Sequence, residues 1–280
     1  MDKELETRLR VMFAGLNRQS AADSFPAPGT LALLLSQHVD PSPATKTIAA
    51  TPQIRSYFAT AAVEMWLRSV HSFLISASLT KASPIWASVA GYYSSHYAVR
   101  AFAHLFGVFQ LYKKGKIARL DKDGAHFVLE KKGNDGEHKF YWKEVIRHAQ
   151  LANDPFFYAN LEDKSDGGHR NKINYWDHIC RYPAFQPLET PALQERVRRI
   201  STIQFNSVPT PRPDGDHFPD IENVQIVAYH RLVKFRRLVD EACAGNRFWK
   251  VQRTPTWCPS TLMNFSVVHS VFVALYAEAS

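Results

Sequence analysis

From Pro84 to Tyr112 the chain reads PIWASVAGYYSSHYAVRAFAHLFGVFQLY, a run in which Arg100 is the one fully charged side chain and Gly91 and Gly107 are the two glycines. A helix that is apolar on all sides must be covered on all sides, so this run demands several neighbouring elements around it. Ser83-Pro84 is a helix-opening pair, because proline at the first helical position loses only an N–H that had no partner. The spacing predicts one buried helix from there through the end of the run.

Elements able to cover it are legible on both sides. Leu5, Leu9, Met12, Phe13 and Leu16 recur at helical spacing, so an amphipathic helix that docks is expected over residues 4–17. A short apolar piece, TLALLLSQ, and a Pro-rich stretch follow. Thr51-Pro52 opens a long helix over 53–78 with a broad apolar face that includes Ile54, Phe58, Met65 and Phe73. Further helices are predicted at 142–152, 190–205, 219–244 and 259–278. Along 221–242 the apolar line Ile221, Val224, Ala228, Leu232, Phe235 and Val239 predicts that Arg231, Lys234, Arg236 and Arg237 lie largely outside.

Between Lys113 and Phe140 the pattern alternates, with turn signals at Asp123-Gly124 and Asn134-Asp135-Gly136. This predicts an antiparallel insertion of two or three strands that stands off the helices as an appendage. Its lysines, Lys113, Lys114, Lys116, Lys122, Lys131, Lys132 and Lys139, with Arg119, are interleaved with Phe127, Phe140, Tyr141 and Trp142 but diluted by five acids. A solvated hairpin, a protein-docking hairpin and a nucleic-acid contact all fit. The expected fold is mainly α: one helical domain over 1–280, with 1–50 as an N-terminal helical extension, 113–140 as the β insertion and 188–280 as C-terminal helices.

Charge bears on partners. Lys and Arg number 34 against 26 Asp and Glu, a formal net charge of +8 with an isoelectric point near 9.4, which favours polyanions. Cys180, Cys243 and Cys258 form no C-x-x-C pair, so neither a disulfide framework nor a zinc site is indicated and a reducing cytoplasm is expected. The charged N-terminus and the lack of a long uncharged apolar run argue against secretion and a membrane span. The histidines form no H-E-x-x-H pattern, and no metal or cofactor is expected. The acidic loop around His217 has the composition of an ordinary turn.

The segment GHRNKINYWDH, 168–178, is the most site-like stretch. Arg170 and His178 are a cation and a proton carrier, Asn171 can orient phosphate or ribose, and Tyr175 can stack a base or hydrogen-bond a phosphate. Cutting RNA by its own 2′-hydroxyl needs a base, a cation for the phosphorane and an acid, so Arg170, Asn171 and His178 are the candidate catalytic residues. Asn174, Tyr175, Arg100, His104, Tyr93, Arg198 and Arg199 are candidate substrate contacts. Arg100 and His104 stand at i and i+4 on one helix face, where a satisfied core network or a pocket with Tyr93, His96 and Tyr97 are the two readings. For 168–178 itself, a capped helix start with Tyr175 in the core is the competing account.

YYSSHYAVRAFAHLFG, 92–107, resembles the second core helix of HEPN domains, and Arg170 to Tyr175 with, one position late, Asp177 resembles the Arg-x-x-x-(Asp/Asn)-Tyr-Asp stretch of HEPN relatives that accompany nucleotidyltransferases. The resemblance spans roughly 51–182. It implies a four-helix bundle, RNA as partner, a homodimer or partner protein, and metal-independent endoribonuclease activity in a bacterial toxin or anti-phage setting. A non-catalytic RNA-binding or structural subunit of a larger defence complex is the alternative. The family's ribonucleases carry Arg-polar-x(4–6)-His, and the seven residues between Arg170 and His178, Asn171 first among them, stand at the long end of that spacing. On a straight helix the two would be about 80° and about 12 Å apart, so a bend or a second protomer would be needed.

Overall fold

The computed structural model describes residues 3–14, 16, 28–39, 45–111, 114–148, 154–158, 190–201 and 221–252. Among them the chain is mainly helical with one small antiparallel sheet. The elements are α1 (Lys3–Ala14), α2 (Pro28–Ser36), β1 (Lys46–Ala49), α3 (Pro52–Ser78), α4 (Pro84–Leu105), β2 (Val108–Leu111), β3 (Lys116–Leu120), β4 (His126–Lys131), α5 (Glu137–Ile146), α6 (Pro155–Tyr158), α7 (Thr190–Ser201), α8 (Ile221–Cys243) and α9 (Arg247–Gln252). The chain divides into two compact units, Met1–Trp66 with Val99–Leu151 and Phe235–Arg253, and Leu67–Ala98 with Ala152–Lys234 and Thr254–Ser280.

In the first unit, the apolar line of α1 is buried throughout, from Leu5 to Phe13, as is Leu16 beyond it. Phe13 meets the ring of Trp249, and Trp249 meets Trp66 at 5.3 Å between centroids. Asn246 joins this cluster to the backbone. Its Oδ1 accepts from the Trp249 N–H at 3.0 Å, capping α9, while its Nδ2 donates to the Phe13 carbonyl at 2.9 Å. At the start of α3 the Thr51 hydroxyl accepts from the Ile54 N–H at 3.2 Å and Pro52 follows it, as Thr51-Pro52 predicts.

The helix beginning at Pro84 stops at Leu105 rather than running on to Tyr112. Gly107 takes φ +78, and a Cβ there would come within 2.5 Å of Leu120 Cβ. Only glycine fits that position. The chain reverses and Val108–Leu111 becomes a fully buried strand, which periodicity alone cannot distinguish from a buried helix.

The sheet has four strands in the order β1-β4-β3-β2, all antiparallel. It is not an appendage. Phe127 and Leu129 are buried, and the ring of Phe127 stacks on Phe58 of α3 with centroids 4.5 Å apart. The turn at Asp123-Gly124 forms, closed by the Asp121 carboxylate accepting from the Ala125 N–H at 2.9 Å. The second turn signal leads into α5, because Phe140, Tyr141, Glu144 and Val145 make one buried helical face. On the sheet face opposite Phe127, Arg119 donates from Nε and Nη2 to the two Glu144 oxygens at 2.9 and 2.8 Å.

In the second unit, helices approach closely through small residues. The Ser69 hydroxyl donates to the Ser94 carbonyl and the Ser94 hydroxyl to the Ser69 carbonyl, both at 2.7 Å. Gln225 of α8 donates from Nε2 to the Ser76 carbonyl, with Ser76 Oγ and Thr80 Oγ1 also 3.0 Å from that nitrogen, while its Oε1 accepts both Arg196 contacts. The expectation that α8 turns its arginines outward is corrected at two places. Arg231 is fully buried, donating to the Phe156 carbonyl at 2.8 Å and Ser95 Oγ at 2.7 Å with the Phe157 ring beneath it. Arg236 is buried beside Asp240 in the first unit. The helix packs on more than its apolar line, so cations off that line are taken inside with polar partners. Arg237 is exposed. No helix among the described residues is long and apolar enough to cross a membrane.

Candidate functional site

Of the sequence-predicted site residues, Arg170, Asn171, Asn174, Tyr175 and His178 lie outside the described residues, as does the side chain of Arg198. Arg100 and His104 fall in the first unit, Tyr93 and Arg199 in the second. Arg199 is exposed on α7. Tyr93 is half-buried, with its ring 5.6 Å from Tyr92 and 5.9 Å from Tyr97, packed on a cluster of Tyr92, Val224 and Val227.

Arg100 and His104 share one face of the last turns of α4, and α5 supplies what meets them. Arg100 Nη1 pairs with Glu137 Oε1 at 2.9 Å, and its guanidinium lies 5.2 Å from the centre of the Tyr141 ring. Glu137 sits in the first turn of α5, where the helix dipole favours a carboxylate. The His104 imidazole is edge-on to Tyr141 at 5.5 Å and tilted on Phe109 at 5.0 Å. The Tyr141 hydroxyl accepts the Gln110 N–H at 3.0 Å, a bond that ties α5 to β2.

His104 is wholly buried, and its Nδ1 faces the Val108 carbonyl at 2.9 Å. A carbonyl only accepts, so Nδ1 carries a proton. Burial pushes its pKa down to about 3, with the Arg100 charge acting the same way and the Val108 bond opposing. Among the described residues, His104 Nε2 and the Gln110 side-chain amide meet no partner, a cost to stability of roughly 1–3 kcal/mol for such a group. Burial likewise raises the Tyr141 pKa.

The chemistry open to this cluster is narrow. A buried imidazole whose pKa lies far below neutrality is a poor proton carrier for a substrate near neutral pH. Arg100 is committed to Glu137 and Tyr141, though one fifth of its side chain remains exposed. Glu137, Tyr141 and Gln110 were not singled out from the sequence as partners. Glu137 and Tyr141 stand at i and i+4, a helical signal that the alternation assigned to 113–140 obscured. No group of three or more potential metal ligands occurs among the described residues.

In comparisons with known proteins, no family model, curated protein or solved structure matches the chain.

Proposed function

We propose that the chain is a HEPN-like, RNA-directed protein in which Arg170 and His178, helped by Asn171, cleave RNA without a metal. The observation that carries this reading is the collection of Arg170, Asn171, Asn174, Tyr175 and His178 within 168–178 of a chain with net charge +8. In the reaction the 2′-oxygen bonds to phosphorus as the bond from phosphorus to the 5′-oxygen breaks. A base takes the 2′ proton, Arg170 stabilises the phosphorane charge, and an acid protonates the leaving 5′-oxygen. His104 is unsuited to either proton role because it is buried and neutral, which leaves His178 as the histidine of the proposal. Asn174, Tyr175, Arg198 and Arg199 hold the strand. The toxin or anti-phage setting, the dimer and the cytoplasmic location belong to the same proposal through the HEPN resemblance.

A second reading, RNA binding without cleavage as a subunit of a larger complex, draws on a specific observation. Arg100, Arg196 and Arg231 are each engaged with protein groups, so those cations serve the fold. Incubating the full chain with structured RNA in EDTA separates the readings. Cleavage leaving 2′,3′-cyclic phosphate ends supports the first, salt-sensitive binding with intact RNA supports the second, and no binding at low salt removes both.

A further inference from the structure

The two edges of the sheet, both in the first unit, are finished differently. At β2 the Leu120 N–H donates to the Gly107 carbonyl, and inward bonding recurs at every second residue, so Val108 and Gln110 turn their backbone groups away from β3. Side chains meet them there. His104 Nδ1 donates to the Val108 carbonyl at 2.9 Å, and the Gln110 N–H donates to the Tyr141 hydroxyl at 3.0 Å.

At β1 the same count leaves a different result. The Ala50 N–H donates to the Ala125 carbonyl at 2.8 Å, so inward bonding falls on Ala50, Ile48 and Lys46, and Thr47 and Ala49 turn outward. The Ala49 carbonyl accepts from the Thr51 N–H at 2.9 Å. Among the described residues no partner meets the Thr47 N–H, the Thr47 carbonyl or the Ala49 N–H. Thr47 and Ala49 are exposed, while Ile48 between them is buried. Open edges are commonly protected by proline, a bulge or a covering element. β1 contains no proline, and its register with β4 runs unbroken from Lys46 to Ala49.

We propose that β1 is a docking edge for an extended, acidic segment of a partner protein, which joins the sheet as a further strand. Laid antiparallel, the segment exchanges both backbone bonds with Thr47 through one residue and accepts the Ala49 N–H through another. The pleat sets its side chains: the residue opposite Ile48 is apolar and the one opposite Lys46 is acidic.

Two observations choose this occupant over a second copy of the chain. An edge of four residues is about 14 Å long, and a strand along it covers a fraction of the roughly 1,200–2,000 Å² that stable protein pairs bury. That scale suits a short segment. The chain also carries a net charge of +8, with Lys131 exposed on β4 diagonally from Lys46, so copies repel and an acidic segment is attracted. The inference is independent of the RNA reading.

The test is selection of a phage-displayed library of random peptides on the full wild-type chain, followed by fluorescence anisotropy of the best peptide. The enriched peptides should alternate apolar and polar residues and carry acids. Thr47→Pro deletes an outward N–H and sets its ring on the open edge without removing a ladder bond. It should weaken binding about 10-fold or more and leave the melting temperature within about 2 °C of wild type. A peptide with amides in place of its acids should bind about 2- to 5-fold more weakly. On the wild-type chain, where no variant has to fold, bound peptide should slow hydrogen exchange at the Thr47 and Ala49 N–H groups by about 10-fold or more. A library that enriches nothing, unchanged exchange at both amides, or acidic and neutral peptides of equal affinity would each overturn the proposal. So would equal binding by wild type and a folded Thr47→Pro. A wild-type dimer in sedimentation that Thr47→Pro abolishes would also overturn it, assigning the edge to a second copy.

Discussion

Phe58 and Phe127 lie ring on ring, 4.5 Å between centroids and 4° between planes, so that a helix and a strand far apart in sequence share one core. Phe109 joins them edge-on to Phe58 at 6.2 Å. Phe127→Ala should cost about 3–5 kcal/mol, read as a lower urea midpoint with an unchanged slope. Replacing 115–138 by a Gly/Ser linker should unfold the first unit. A deletion variant that keeps its melting temperature would show that the sheet is dispensable after all.

His104 makes stability depend on pH. The folded chain holds its imidazole neutral down to about pH 3, whereas the unfolded chain takes up the proton near pH 6.5. The unfolded state therefore binds more protons between those values, and stability falls as pH is lowered through the window, by up to about 1.4 kcal/mol per unit from this one group. Half-buried His71, whose pKa is also lowered by burial, acts in the same direction. His104→Gln, which keeps an N–H for the Val108 carbonyl, should flatten the slope of unfolding free energy between pH 6.5 and 5. An identical slope in the variant would mean that folded His104 takes up protons from solvent.

Gly91 is where α4 has no room for a side chain. A Cβ there would stand 2.9 Å from Ser76 Oγ and 3.0 Å from Val224 Cγ1, and Ser76 Oγ already donates to the Ala87 carbonyl at 2.6 Å and contacts Gln225 Nε2. Gly91→Ala should therefore destabilise by about 1–3 kcal/mol, despite the better helix propensity of alanine. Calorimetry checks this, and a variant as stable as the wild type would show that Ser76 and Val224 yield.

Where the sequence was informative, one physical signal dominated. The spacing of Leu5, Leu9, Met12 and Phe13, and the caps at Thr51-Pro52 and Ser83-Pro84, each reported one local preference, and helices form there. Val108–Leu111 was hidden because a fully buried strand has the same apolar pattern as a fully buried helix, and only the conformation of Gly107 against Leu120 separates them. The N-terminal half of α5 was masked by an accidental alternation next to real strands. The burial of Arg231 was illegible because it depends on Ser95 and the Phe156 carbonyl, partners that only tertiary structure brings near. In the candidate site, the shared helix face of Arg100 and His104 was readable. Their commitment to Glu137, Tyr141 and the Val108 carbonyl was not, since α5 and the chain reversal at Gly107 supply it.

The central claim is that Arg170 and His178 act on one phosphodiester, and single-turnover cleavage of a structured RNA in EDTA, with saturating protein, tests it most directly. The account predicts that wild type yields 2′,3′-cyclic phosphate ends, and that Arg170→Ala and His178→Ala are each slowed by about 100-fold or more while retaining wild-type helicity by circular dichroism. Full-rate cleavage by His178→Ala, or no cleavage by wild type, would contradict it.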